Sequence, residues 1–224
     1  MSLASHVVTQ TDKAEMNTTA QTNKFKETLT AEASNYDVTL TLEAIVGLSR
    51  YYELLSLWNS RVHLVAPCSA EEFATRHVLE SLVLLKHLPL SANIAEVGAG
   101  GGLPIVPCLI VRSDLRAILI ESSQKKAVFL REALTHTGAS SRASVINERF
   151  ENVATPSIDF VTCRALERFE ELLPNLFAWA PVNSTLLLFG AKRLETRIEA
   201  LGFTSTGQLM PRSKGRFLFI VRKP

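Results

Sequence analysis

The residues best suited to chemistry lie in Glu96-Val97-Gly98-Ala99-Gly100-Gly101-Gly102-Leu103-Pro104. An acid is followed by glycines at every second position, Gly98, Gly100 and Gly102, and then by a helix start at Pro104. Glycine admits positive φ and close backbone approach, so a nucleotide-like ligand can lie directly against such a loop. A dinucleotide-binding turn wants its third glycine where this chain has Leu103. A strand-to-helix turn without a ligand is the plainer alternative. Glu121 ends Ala117-Ile118-Leu119-Ile120-Glu121, about 20 residues beyond the loop, where a carboxylate accepts hydrogen bonds from ribose hydroxyls. The alternative is an ordinary surface acid. Glu96 either meets a ligand's amino-acid part or ties down the turn by accepting backbone N–H bonds. Phe150 offers apolar contact to an adenine and Glu151 addresses its edge, unless Phe150 is core and Arg149 and Glu151 are surface charges. Arg164 closes the next strand at the same rim, as a ligand for a phosphate, a carboxylate or Glu151, or as a structural ion-pair partner.

Positioning these residues takes strands that end on one edge. Strand-like runs occupy Asn93 to Val97, Ala117 to Glu121, Ala143 to Asn147, Ile158 to Cys163 and Thr185 to Phe189. Helical stretches separate them, notably Ser123 to Thr137 and Phe169 to Ala178, which predicts parallel strands joined by crossover helices. Phe203 to Leu209 and Arg216 to Val221 flank a Pro211-Arg212-Ser213-Lys214-Gly215 turn and predict an antiparallel C-terminal hairpin. Upstream, apolar residues recur at helical spacing from Thr41 to Trp58, and a Ser69/Glu72 capping box opens a helix to about His87. The expected organisation is an extension over 1–36, either a flexible tail or a loosely attached helix, a helical cap over 37–90 and a Rossmann-like core over 91–224. With 224 residues, 46% hydrophobic and 21% charged, the chain reads as a globular protein with one full core. No apolar run reaches the ~20 residues of a membrane span. The start lacks a secretory pattern, and Cys68, Cys108 and Cys163 have no paired or zinc-like spacing, so a cytoplasmic protein without a metal is expected.

The acidic-x-G-x-G-x-G loop resembles the first motif of S-adenosylmethionine-dependent methyltransferases. Enzymes of that kind acting on exocyclic amines commonly carry Asn/Asp-Pro-Pro-aromatic after the fourth strand, where this chain has Thr162-Cys163-Arg164-Ala165. Cys163 lies in an apolar strand without a Pro-Cys context, so buried packing is expected over attack on a pyrimidine. Guanine N7 carries a lone pair and no proton, and methylating it needs mainly alignment.

Further segments extend the likeness. Leu57-Trp58-Asn59-Ser60-Arg61-Val62-His63-Leu64, Arg76-His77-Val78-Leu79-Glu80-Ser81-Leu82, the glycine loop with its Leu103-Pro104 ending, Leu119 to Lys126, Arg149-Phe150-Glu151 and Arg164-Ala165 follow in order. Over roughly Leu54 to Val221 the chain resembles the RsmG (GidB) family, which methylates guanine N7 in 16S ribosomal RNA. The resemblance implies a seven-stranded class I methyltransferase sheet with helices on both faces, S-adenosyl-L-methionine as cofactor, and the small ribosomal subunit or its RNA as partner of a monomer. It implies that Gly98, Gly100, Leu103, Phe150, Glu151 and Arg164 border the cofactor with Glu96, and that Glu121 holds the ribose. Arg76, His77 and Arg164 become candidates for positioning the base, with an Arg76–Glu80 pair as the plain alternative on that helix. Departures stand at His63, where the family has Asn, at Val65 for Thr, at Glu80 and Glu96 for Asp, and at Phe189 for Lys, with Lys192 three positions on. Lys125, Lys126, Lys192, Arg193, Arg212 and Lys214 are candidates for RNA phosphates, a solvated helix face being the alternative for each cluster. A small-molecule methyltransferase or a non-catalytic binding module on the same fold are the other readings.

Overall fold

The computed structural model describes residues 10–164 and 169–224. Seven strands form one sheet in the order β3-β2-β1-β4-β5-β7-β6. They are β1 (Asn93–Val97), β2 (Arg116–Ile120), β3 (Ala143–Ile146), β4 (Phe160–Arg164), β5 (Thr185–Gly190), β6 (Thr206–Leu209) and β7 (Phe217–Arg222). All expected strands are present. β1 to β5 are parallel, while β7 inserts antiparallel between β5 and β6. The strand order reverses where β1 pairs with both β2 and β4, the position at which open parallel sheets take ligands.

The central strands are apolar on both sides because helices cover both faces. Side-chain alternation sends Ile94 into one apolar cluster and Ala95 and Val97 into the other. Glu96 therefore points with Ile94 toward the face carrying the cap. Cys163 is fully buried as packing.

The cap begins with α1 (Gln10–Glu32), followed by α2 (Leu42–Val62), capped by Thr41, whose hydroxyl accepts from the Ala44 amide at 3.2 Å. The next helix starts at α3 (Ala70–Glu72), widens into a π-helical segment over Phe73–Leu79, and continues as α4 (Glu80–Leu82) and a 3-10 turn over Val83–His87. Ser69 caps it by accepting from the Glu72 amide at 3.1 Å, while the Glu72 carboxylate turns to Arg76. The remaining helices are α5 (Ile105–Val111), α6 (Gln124–His136), α7 (Phe169–Trp179) and α8 (Arg193–Ala200).

Of the two expectations for 1–36, the described part takes the helix over the flexible tail, and the helix is packed rather than loosely attached. Residues 1–9 lie outside the described residues, but Phe25 and Leu29 are fully buried and Tyr36 is 2% exposed. Phe25 stacks on Tyr52 with ring centroids 4.5 Å apart. Thr22, Phe25, Leu29, Ala33 and Tyr36 recur at helical spacing as one narrow buried stripe. Their dilution among polar residues made the segment look like a tail.

Candidate functional site

The glycine loop runs from the end of β1 into α5. Gly98, Gly100 and Gly102 have φ of 69°, 52° and 78°, a region costly to residues with a Cβ. The Gly98 and Ala99 amides both donate to the Ile120 carbonyl, at 2.9 and 3.1 Å, tying the loop to β2. A Cβ on Gly102 would sit 2.5 Å from Val106 Cγ2, whereas one on Gly100 would meet only the Gly98 carbonyl, at 3.8 Å. Gly102 is therefore needed for packing, and Gly100 leaves an open cradle. Leu103 is 8% exposed and packs into the cap-side cluster.

Glu121 is not an ordinary surface acid. It is 7% exposed, one oxygen accepting from the Gly100 amide at 2.8 Å and the other from the Ser123 amide at 2.7 Å. It thus clamps the glycine loop to the start of α6. Asn147 secures the same turn by donating to the carbonyls of Glu121 at 2.8 Å and Ser122 at 3.1 Å.

Glu96 faces the Ile105 backbone N–H at the start of α5. It is 1% exposed, and no side-chain hydrogen bond reaches either carboxylate oxygen. Burial pushes its carboxyl well above the usual range, Glu121 adding to this and the Ile105 amide and Arg164 opposing it. Tyr51, absent from the sequence reading, lies fully buried on α2 and donates its hydroxyl to the Gly101 carbonyl.

Arg164 faces the cap. It donates to the backbone carbonyls of Arg76 at 2.7 Å and His77 at 3.4 Å, to Ser81 Oγ at 3.3 Å and to Glu80 at 3.3 Å, with its guanidinium 5.2 Å from the Phe189 ring centroid. The structural ion-pair alternative therefore holds, but its acid is Glu80. Glu151 is 3.9 Å from Arg149 instead. The Arg76–Glu80 pair is likewise corrected, since Arg76 pairs with Glu72 at 2.9 Å and Glu80 with Arg164 and Arg216. Helical spacing offers Arg76 both Glu72 and Glu80, and Arg164 and Arg216 take Glu80. His77 packs on Phe73, and burial, with help from Arg164 and Arg76, lowers its pKa to about 4, so the ring is neutral near pH 7.

Phe150 is 5% exposed and meets Trp179 edge-on in the opposite apolar cluster, which favours its core reading. The departures have local causes. His63 ends α2 in the left-handed region, φ 52°, where Asn is a favoured residue and His is tolerated. Asn59 clamps Val65 through both its backbone groups, at 2.9 and 3.1 Å, so the side chain at 65 is not what fixes this turn. Lys192 does not replace a charge at position 189; it pairs with Glu195 and lies 5.5 Å from the Phe217 ring centroid.

The topology gathers the basic candidates. Lys125 and Lys126 follow β2, Arg149 follows β3, and Lys192 and Arg193 follow β5. β6 runs parallel to β5 because both are antiparallel to β7, so Arg212 and Lys214 after β6 reach the same carboxyl edge. Lys125 and Lys214 are exposed, and Arg212 pairs with Glu32. Among the described residues no helix is long and apolar enough to cross a membrane, and no cluster has the make-up of a metal site.

A family model described as GidB, rRNA small subunit methyltransferase G, matches residues 44–209. A ribosomal RNA small subunit methyltransferase G of Nitrosomonas eutropha is 38% identical over 133 residues, 58% of this chain and 61% of that protein. One from Xanthomonas campestris pv. campestris is 42% identical over 121 residues, 54% of this chain and 56% of that protein. The match thus spans under two thirds of these relatives' length. Among solved structures, an O-methyltransferase from Bacillus cereus in complex with SAH has a TM-score of 0.56 at 18% identity, over 78% of this chain and 91% of that one. A SAM-dependent methyltransferase from Aquifex aeolicus has a TM-score of 0.54 at 16% identity, over 67% and 92%. At such identities the likeness shows the fold, a class I methyltransferase sheet.

Proposed function

We propose a function from one premise: the chain belongs to the GidB family, rRNA small subunit methyltransferase G. The protein transfers a methyl group from S-adenosyl-L-methionine to N7 of a guanine in 16S ribosomal RNA, as a cytoplasmic monomer acting on the small subunit or its RNA. The observation that carries this reading is the convergence, on one sheet edge, of an open glycine cradle, a buried acid without a side-chain partner and a row of basic residues.

The residues present fit the cofactor. Glu96 supplies a desolvated carboxylate for its ammonium group, the Gly98 and Gly100 backbone permits close approach, and Leu103 borders the pocket. Glu121 spends one lone pair of each oxygen on a backbone amide and keeps others for ribose hydroxyls. Glu151 addresses the adenine edge, beside a Phe150 held in the core by Trp179. When bound, the cofactor supplies an electrophilic sulfonium methyl. The protein then needs to align N7 and exclude competing water, since no proton has to leave the acceptor.

His77 remains a neutral packing and positioning group. Arg164 makes four donor contacts to the cap out of five N–H groups. It acts by fixing the Arg76–His77 segment. Lys125, Lys126, Lys192, Arg193, Arg212 and Lys214 hold phosphates of a folded RNA around the edge.

The test is methyl transfer from labelled cofactor to 30S particles, naked ribosomal RNA and small acceptors, with calorimetry of cofactor binding alongside. Label in ribosomal RNA at a guanine N7 is expected. Label confined to small acceptors would overturn the acceptor assignment, and no binding up to millimolar cofactor would overturn the enzymatic reading.

A further inference from the structure

The cap and the glycine loop meet through a contact that neither element's local sequence requires. Tyr51, in the middle of α2, is fully buried and donates its hydroxyl to the Gly101 carbonyl. On the other side of the loop Glu121 accepts from the Gly100 amide at 2.8 Å. The peptide groups on either side of the Gly100–Gly101 link are therefore anchored to two different elements, one in the sheet and one in the cap. The Tyr51 ring is fixed in turn by Phe73, centroids 6.4 Å apart, at the start of the π-segment that Arg164 holds. Burial and the nearby Glu96 push the phenol well above its ordinary range, so the hydroxyl remains a donor. The Gly98, Ala99 and Gly100 amides tie the first half of the loop to Ile120 and Glu121, and Tyr51 supplies the tie on the Gly101 carbonyl.

We propose that Tyr51 is a positioning residue that holds the glycine loop in its ligand-ready shape from the helical cap, making cofactor affinity depend on how the cap is seated. This rests on the reading of the loop as the cofactor site. Tyr51→Phe removes only the hydroxyl and leaves the Gly101 carbonyl buried without its donor. Tyr52→Phe, one residue on, is the control: Tyr52 is half-buried and stacks on Phe25, away from the loop.

Hydrogen exchange of segment 98–103 in cofactor-free protein is measured first, then S-adenosylmethionine affinity by calorimetry and the split between cofactor KM and kcat. Tyr51→Phe is expected to speed exchange of the loop and weaken cofactor binding about tenfold, raising KM with kcat at saturation unchanged. Tyr52→Phe is expected to match wild type in all three. Loop exchange and affinity unaltered in Tyr51→Phe, or altered equally in Tyr52→Phe, would overturn the proposal. Should Tyr51→Phe fail to fold, native-state exchange of the unaltered protein decides: segment 98–103 must open together with α2, and a loop opening while α2 stays closed sinks the idea. If wild type binds no cofactor, the functional reading falls, while loop exchange still decides what Tyr51 does.

Discussion

Glu80 and Glu96 are each 1% exposed and lie on the cap-facing side of the same sheet edge, yet their surroundings are opposite. Glu80 receives Arg216 at 2.7 and 2.8 Å on one oxygen and Arg164 at 3.3 Å on the other. Glu96 receives no side-chain hydrogen bond on either oxygen, only the approach of the Ile105 amide. Desolvating a carboxylate costs several kcal/mol, and partners offset that cost only where geometry supplies them. Glu80 is therefore a fastener between the cap, β4 and β7. Glu96 has no side-chain cation bonded to it, and under the proposed function the ammonium group of the cofactor supplies one. Burial alone does not distinguish a structural acid from a functional one; the partner set does.

The largest expected effect falls on the fastener. Glu80→Ala leaves Arg164 and Arg216 without their acid and should cost about 3–5 kcal/mol, read by denaturant unfolding. A loss below 1 kcal/mol would erase the contrast between the two glutamates. Glu96→Gln should leave stability at neutral pH unchanged or raised while weakening S-adenosylmethionine binding about tenfold, ~1.4 kcal/mol.

Glu96 also makes the comparison sensitive to pH. Its carboxyl is raised in the folded state, so its stability contribution is full below the ordinary glutamate range and is lost as pH rises through the folded value. Glu96→Gln should flatten that fall. At pH below the raised folded value, cofactor binding that ionises Glu96 should release a proton, seen as calorimetric heats that vary with the buffer's ionisation enthalpy. Heats that are independent of buffer would place the ammonium group elsewhere.

Arg216→Met tests whether the fastener's two cations are equal. Arg216 is 43% exposed against 12% for Arg164, so its removal should cost about 1 kcal/mol, well below the loss from Glu80→Ala. Equal losses would mean that Arg164 contributes nothing. The smallest effect is expected at His77. Its pKa is lowered to about 4 by burial first, so its contribution to stability is present above about 6.5 and lost as pH falls toward 4. His77→Phe should flatten stability over that window without adding or removing an inflection in the rate near neutral pH. A neutral-pH inflection lost in this variant would make His77 a proton-transfer group.

The alternation of strands and helices, the C-terminal hairpin and the glycine loop were legible because each is written locally. Alternation of apolar residues, helix caps and the φ freedom of glycine act within a few residues. The cap helix from Ser69 was legible in extent and not in detail, since a π-segment leaves no periodic mark of its own. The N-terminal helix was legible only as an alternative to a tail, because Phe25 and Leu29 are sparse apolar residues whose burial depends on Tyr52 and Phe73 being opposite them.

By itself the sequence determined the sheet, the loop at its edge and the family to which both belong. The tertiary structure alone decided that Arg164 would meet Glu80 from 84 positions away, Arg216 from 136, and Tyr51 the Gly101 carbonyl from 50. Local sterics fix backbone shape, but which charge meets which is settled only when distant segments close around the same buried volume.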